Sequence, residues 1–115
     1  MSGLTVKDIA RAVALAMEEK KADDVQILGV QNLTADCDYF VIGSCQSITQ
    51  IGAVAQSVAG RMDELGIAIR QQEGRNDNKW VLMDYYSVII HIFLDEEREY
   101  YSLEKLWAAA EKIDL

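Results

Sequence analysis

The spacing of apolar residues along the chain predicts two long amphipathic helices. Between residues 6 and 21, apolar side chains recur every three or four positions, and Thr5 stands where a helix cap is favoured. A clearer stripe runs over residues 48–65, directly after Ser47. Gly66 follows this stripe at the position where a left-handed residue commonly ends a helix.

Runs of β-branched and aromatic residues predict five strands. The expected strands cover residues 25–30, 39–42, 67–72, 80–84 and 87–94. Residues 43–46 and 73–78 have the composition of turns, and Tyr85-Tyr86 joins the last two strands into a hairpin. The second and fifth strands are apolar on both faces, which is typical of central strands covered on both sides.

Two short helices complete the pattern. Asp95 is expected to cap a helix over residues 96–101, and Ser102 is expected to begin another. The resulting element order predicts an α/β fold, a single domain with a mixed five-stranded sheet flanked by helices. We place the domain at residues 1–107 and treat residues 108–115 as a C-terminal tail that continues the helix or frays.

Composition is that of one globular domain with a marked acidic excess. The 115 residues are 50% hydrophobic, and 19 acidic side chains stand against 11 basic ones, for a formal net charge of −8. From Ala22 to Gly60 there is no Lys or Arg. Such a surface disfavours binding to nucleic acid through its phosphates and docking on an anionic membrane, and it favours a basic protein partner.

The chain contains no apolar run long enough for a membrane-spanning helix and no pattern of a signal peptide at its N-terminus. Its two cysteines, Cys37 and Cys45, are too few for a disulfide scaffold, so we expect reduced thiols in a cytoplasmic protein. His91 is flanked by apolar residues in a strand, which is typical of a packed structural histidine. We expect no metal site and no cofactor, because the spacing of the cysteines and the single histidine matches no zinc pattern.

An alternative interpretation is that the protein is an enzyme with a nucleotidyltransferase site. Asp36 and Asp38 form a carboxylate pair of the kind that can hold Mg²⁺, and Ser44 follows a glycine between a strand and a helix, where a phosphate can bind. A nucleotidyltransferase also needs an acidic pair shortly after that serine, and residues 51–60 contain no acid. The favoured interpretation is therefore a polar loop in a protein that is not an enzyme.

Large aromatic residues are concentrated in the last third of the chain. The tryptophans and tyrosines after residue 79 are Trp80, Tyr85, Tyr86, Tyr100, Tyr101 and Trp107. Tyrosine and tryptophan are the residues that most often anchor protein interfaces. Two consecutive tyrosines cannot easily both enter one core, so we expect at least one ring of each pair to reach the surface.

An ordered set of segments resembles the ribosomal silencing factor (Iojap-like) family over about nine-tenths of the chain. The segments are Asp38-Tyr39-Phe40-Val41-Ile42, Ser47 with Gln50, Glu73-Gly74, Trp80-Val81-Leu82-x-Asp84, Val88-Ile89-Ile90-His91-Ile92-Phe93 and Arg98-x-Tyr100-Tyr101-x-Leu103-Glu104-x-Leu106-Trp107. The resemblance implies a fold related to that of nucleotidyltransferases but without catalysis. It also implies a homodimer that binds large-subunit ribosomal protein number fourteen and blocks the joining of the ribosomal subunits, so that translation falls when nutrients are short.

The contact surface implied by the resemblance maps onto Trp80, Asp84, Tyr85 and the neighbouring Glu73, with Tyr100 and Tyr101 as further candidates. Two positions depart from the family pattern. Tyr86-Ser87 stands where Gly-Asp is usual, so that Tyr86 is expected to replace a charge with apolar contact. Thr49 stands where an arginine or similar polar residue is common.

Two rival functions are the nucleotide- and Mg²⁺-binding enzyme and a dimeric adaptor for another basic protein.

Overall fold

The computed structural model describes residues 3–115; Met1 and Ser2, the start of the expected domain and of the segment judged not to be a signal peptide, lie outside the described residues. The helices are α1 (Val6–Glu19), α2 (Ile48–Glu64), α3 (Asp95–Tyr101) and α4 (Leu103–Leu106). The strands are β1 (Asp23–Gly29), β2 (Tyr39–Cys45), β3 (Gln71–Arg75), β4 (Trp80–Asp84), β5 (Val88–Leu94) and β6 (Glu111–Ile113). The predicted α/β class is confirmed.

All six strands form one mixed sheet in the order β3-β4-β5-β2-β1-β6. The central strands β2 and β5 run parallel, and the other neighbouring pairs within residues 3–115 are antiparallel. Ile42 lies beside His91 across the parallel pair, and His91 lies beside Leu82 across the next. Every residue of β2 is buried, as its apolar pattern predicts.

The two long helices cover one face of the sheet. Thr5 accepts a hydrogen bond from the backbone N–H of Asp8, whose side chain accepts in return from the backbone N–H of Thr5. Ser47 caps α2 by accepting from the backbone N–H of Gln50. Gly66, with φ of +73°, ends α2 in a Schellman motif, so both predicted helices and their caps are confirmed.

Close contact between α1 and the sheet depends on a glycine. A Cβ atom built on Gly43 in β2 would lie 2.6 Å from Cε of Met17 and 3.3 Å from Cγ2 of Val25. Both neighbours are buried, so they have no solvent-filled space into which they could move to make room for the extra atom. The glycine lets the helix pack directly on the strand.

The second face of the sheet is covered only in part. Its buried cluster contains Leu28, Val30, Cys37, Phe40, Ile42 and Phe93. The chain after α3 crosses this face, and Leu103, Trp107 and Ala110 pack on the cluster before the chain joins the sheet as β6. The part of this face formed by β3, β4 and Ile89 of β5 is left open, since its side chains are half-buried or exposed.

The structure corrects four predictions about local structure. The strand expected at residues 67–72 lies later in the chain, as β3 at residues 71–75. The turn expected at residues 73–78 is confined to residues 76–79, where Asn76, Asp77 and Asn78 all have positive φ. The expected turn at 43–46 is wrong because β2 pairs with β5 as far as Cys45. Asp95 is the first residue of α3, not its cap. The sheet has six strands instead of five, because the expected tail includes β6, which pairs with β1.

Candidate functional site

The open part of the second sheet face carries the candidate site. Directly opposed residues of antiparallel strands share a face, and Arg75 opposes Trp80, Glu73 opposes Leu82, and Asp84 opposes Ile89. We call these six residues the open sheet face. Each is half-buried or exposed, whereas the alternate positions of the same strands, Val81, Met83, Val88 and Ile90, are buried in the main core.

Trp80 is the central side chain of the open sheet face. Its ring stacks on Phe93 with centroids 4.9 Å apart and contacts Tyr101 at 4.7 Å. The guanidinium carbon of Arg75 lies 4.8 Å from its centroid, in a cation–π contact. The indole N–H donates to Nδ1 of His91 over 3.2 Å. Trp80 is therefore half-buried, and contacts with four neighbouring side chains restrict its movement.

His91 is buried beneath Trp80, with 6% of its surface exposed, so the prediction of a packed histidine is confirmed. Its ring meets Phe40 edge to face at 5.2 Å and stacks near Phe93 at 6.1 Å. Burial, with a smaller contribution from the positive charge of Arg75, lowers the pKa of His91 to about 4. The imidazole is therefore neutral at pH 7, as its acceptor role toward Trp80 requires.

The charges on the open sheet face are paired with one another. Arg75 donates to the Glu73 carboxylate through both Nε and Nη2, at 3.1 and 2.7 Å. Arg70, just before β3, lies 3.7 Å from the carboxylate of Asp84. Two acids thus face two arginines, and the acidic excess of the chain lies elsewhere. Neither arginine was among the contact residues expected from the sequence. Arg75 opposes Trp80 because β3 extends to residue 75, beyond the predicted strand at residues 67–72.

The tip of the β4–β5 hairpin separates the two tyrosines of the first predicted pair. Tyr85 points into the main core with 6% exposure, and burial raises the pKa of its hydroxyl. Tyr86 is 58% exposed at φ of +70°, and the guanidinium of Arg70 lies 5.7 Å from its ring centroid. Tyr86 therefore borders the open sheet face, and Tyr85 offers it no surface, which corrects its expected place among the contact residues.

The second tyrosine pair lies on α3, at the other end of the open sheet face. Tyr101 contacts Trp80, and Tyr100 meets Tyr101 edge to face at 5.1 Å with 80% of its own surface exposed. At least one ring of each pair thus reaches the surface, as predicted: Tyr86 in the first pair and both tyrosines in the second. The structure gathers the other expected contact residues along one surface, namely Glu73, Trp80, Asp84, Tyr86, Tyr100 and Tyr101.

Arg98 anchors α3 and α4 to the sheet, a role that the sequence did not indicate. Its guanidinium donates to the carboxylate of Glu104 at 2.8 Å, to the backbone carbonyl of Asp23 at 3.1 Å and to Oγ of Ser44 at 3.2 Å. The residue is 9% exposed. It therefore connects the α3–α4 corner to the ends of β1 and β2.

The residues of the nucleotidyltransferase hypothesis do not meet. Asp38 directly precedes β2, whereas Ser44 is six residues further along this extended strand, which separates them by about 20 Å at roughly 3.3 Å per residue. Ser44 is 4% exposed and its hydroxyl is engaged by Arg98. Within residues 3–115 no three His, Cys, Asp or Glu side chains are grouped to hold a metal ion.

Both cysteines are buried free thiols. Burial, followed by nearby carboxylates, raises the pKa of Cys37 to about 11 and that of Cys45 to about 12. Both thiols therefore stay protonated at neutral pH, which makes them poor nucleophiles.

Among the helices of the described region, none is long and apolar enough to cross a membrane.

The fold and site define a single α/β domain that presents a half-covered sheet face with a fixed tryptophan. The family model for the Ribosomal silencing factor during starvation matches residues 4–115. The chain therefore belongs to this family, which confirms the resemblance found in the sequence.

Relatives and a solved structure agree with this assignment. The chain is 38% identical to the Ribosomal silencing factor RsfS of Bacillus subtilis, over 95% of this chain and 92% of that protein. It is 32% identical to the chloroplastic Protein Iojap of Zea mays, over 92% of this chain and 46% of that protein. A crystal structure of a protein from Chromobacterium violaceum matches with a TM-score of 0.87 and 30% identity, covering 91% of this chain and 88% of that one.

A relative from an animal has a name that refers to the large ribosomal subunit. The chain is 34% identical to the Mitochondrial assembly of ribosomal large subunit protein 1 of Mus musculus, over 87% of this chain and 45% of that protein.

Proposed function

We propose that this protein is a cytoplasmic translational repressor that binds large-subunit ribosomal protein number fourteen. Occupation of that protein's surface, where the large subunit meets the small one, obstructs the joining of the two subunits and lowers translation under nutrient limitation. The names of the silencing factor from Bacillus subtilis and of the large-subunit assembly protein from Mus musculus support a ribosomal partner.

The observation that carries the proposal is the half-exposed Trp80, held by stacking, a cation–π contact and a hydrogen bond. A rigid aromatic side chain contributes strongly to binding because little conformational freedom is lost when the partner docks. Leu82 and Ile89 add apolar surface beside it, and exposed tyrosines border it at both ends. The proposed contact residues are Glu73, Trp80, Asp84, Tyr86, Tyr100 and Tyr101.

Electrostatics has a different role in this proposal from the one that the sequence suggested. Because Glu73 and Asp84 are paired with Arg75 and Arg70, the centre of the contact has little local charge. The net charge of −8 acts over a longer range, attracting a basic protein and disfavouring ribosomal RNA around it. Affinity at the contact then comes mainly from aromatic and apolar burial.

Repression by obstruction needs no catalysis. The separation of Asp38 from Ser44 and the protonated thiols support a role as a non-enzymatic binding protein. We further propose that the protein is a homodimer, as the resemblance to the family implies. Sedimentation velocity of the purified protein tests this part, and a single species of monomer mass across micromolar concentrations contradicts it.

Co-sedimentation with purified bacterial large subunits tests the function. We expect wild type to bind and to reduce the joining of large and small subunits, and Trp80→Ala to lose both effects while remaining folded. Trp107→Ala is the matched control, because Trp107 packs on Phe40 with ring centroids 5.1 Å apart and lies outside the open sheet face.

Circular dichroism and thermal unfolding of both variants test whether they are folded. Binding of Trp80→Ala at wild-type strength contradicts the assigned surface. Binding of wild type without any effect on subunit joining contradicts the proposed obstruction.

A further inference from the structure

One ring nitrogen of His91 accepts a hydrogen bond, and the other is buried without a partner among the described residues. Nδ1 accepts the hydrogen bond from the Trp80 indole, so the proton of the neutral imidazole is on Nε2. Nε2 is buried, and it has no hydrogen-bond partner in the part of the chain that the structure describes. A buried N–H without a partner disfavours folding.

An apolar residue would suit this position better if packing were the only requirement. The His91 ring lies against Phe40 and Phe93, and its strand neighbours Ile90 and Ile92 are also buried. Phenylalanine would keep the ring contacts and avoid burying Nε2 without a partner. The contact that a phenylalanine cannot make is the hydrogen bond to Trp80.

The hydrogen bond to His91 fixes the direction of the Trp80 indole N–H, which the ring contacts leave free. Phe93 and Arg75, the residues opposite Trp80 on its two neighbouring strands, both contact the indole ring. An indole can rotate about its Cβ–Cγ bond between two broad orientations. A directional hydrogen bond at the nitrogen selects the one that turns the N–H toward His91.

We propose that His91 is a positioning residue for the partner-binding surface, and this inference rests on the proposed function. Its Nδ1 holds Trp80 in the single orientation that the partner meets. Because the indole N–H is occupied internally, Trp80 presents only carbon atoms of its ring. The partner group that docks there is therefore apolar and does not accept a hydrogen bond.

Two substitutions at one position separate hydrogen bonding from packing. His91→Phe keeps a ring and removes the acceptor. His91→Asn loses the ring but keeps an acceptor, because Oδ1 of asparagine is separated from Cβ by the same number of bonds as Nδ1 of histidine. Trp80→Phe keeps the stacked ring and removes the donor, and thermal unfolding verifies that every variant is folded.

The first measurement is the indole N–H resonance of Trp80 in ¹⁵N-labelled protein, assigned with Trp107→Phe. We expect His91→Phe to move this resonance toward that of a solvent-exposed indole and His91→Asn to retain most of the wild-type shift. The second measurement is the Kd for large ribosomal subunits. His91→Phe should weaken binding about three- to tenfold, the range for loss of one neutral hydrogen bond, and His91→Asn should restore most of the affinity.

A double mutant completes the test. In the Trp80→Phe background, His91→Phe should weaken binding no further, because the donor is already absent. Equal binding of wild type and His91→Phe, or an unchanged indole resonance in His91→Phe, overturns the inference. If wild type itself fails to bind large subunits, the proposed function fails instead, so the two failures are distinguishable.

Discussion

The backbone N–H of Tyr86 donates to Oδ1 of Asp84 over 2.8 Å, and this bond closes the tip of the β4–β5 hairpin. Tyr86 has φ of +70°, a conformation that favours glycine and is uncommon for a bulky residue. The family pattern noted in the sequence has glycine at this position. Here a tyrosine is held in strained geometry with 58% of its surface exposed, beside Arg70 and the open sheet face.

Substitution of Tyr86 should therefore change stability and binding in opposite directions. Relief of left-handed strain in Tyr86→Gly should raise the free energy of unfolding by about 0.5–1 kcal/mol, after the greater entropy of an unfolded glycine is subtracted. Loss of the ring should weaken binding to large subunits. Urea unfolding and co-sedimentation measure the two effects.

Tyr86→Ala is the matched control, since alanine also lacks the ring but keeps the strained φ. It should bind as weakly as Tyr86→Gly without the gain in stability. A less stable Tyr86→Gly would show that strain at this residue is negligible.

A pair of glycine substitutions tests the packing of α1 on β2. Gly43→Ala should destabilise the protein by about 1–3 kcal/mol, because its Cβ would lie 2.6 Å from Met17 and 3.3 Å from Val25. Gly52→Ala should stabilise it by about 0.5–1 kcal/mol, because Gly52 is exposed in α2 with nothing within 4 Å of an added Cβ.

Chemical denaturation of the two glycine variants gives both values. In a Met17→Leu background, which lacks the Cε methyl group, Gly43→Ala should cost less. An equal cost in both backgrounds would place the strain elsewhere.

Two arginines with different environments should differ sharply in their contribution to stability. Arg98→Met leaves buried polar partners unpaired, including Ser44 and the partly buried Glu104, so we expect a loss of about 2–3 kcal/mol. Arg61→Met breaks an exposed pair with Glu64 and should cost less than about 1 kcal/mol. Similar losses in thermal unfolding would contradict the anchoring role of Arg98.

Protonation of His91 should couple stability to pH. The pKa of His91 is lowered from 6.5 to about 4 in the folded protein, so between these values the unfolded chain binds more protons. Stability from this group is complete above about pH 6.5 and is lost as pH falls toward 4, by up to roughly 3 kcal/mol.

Comparison with His91→Phe isolates this contribution from the carboxylates that titrate in the same range. The difference in the free energy of unfolding between the two proteins should shift in favour of the variant as pH falls from 6.5 to 4. A difference independent of pH would show that His91 has an ordinary pKa in the folded state.

Much of the fold could be predicted from local pattern. The stripes behind Thr5 and Ser47 specify helices because their apolar period matches the helical turn, and Gly66 ends the second one where a left-handed residue is needed. The apolar segments around Val41 and Ile90 indicate buried central strands. Aromatic concentration and family resemblance likewise led to Trp80 before any geometry was known.

Other features were decided only by contacts between distant segments. The strand β3 is polar and forms because it pairs with β4, and β6 forms because the chain after Trp107 reaches the free edge of β1. Alternation along the hairpin is set by register, which buries Tyr85, leaves Asp84 half-buried on the open sheet face and exposes Tyr86.

The sequence by itself thus determined the two long helices, their caps, the central strands and the family, because these depend on neighbours a few residues apart or on ordered motifs. The tertiary structure decided which half of the sheet face stays open. It also brought His91 to the indole of Trp80 and Arg98 to Ser44, across separations of 11 and 54 residues. Such pairings depend on strand order and register, which local sequence does not encode.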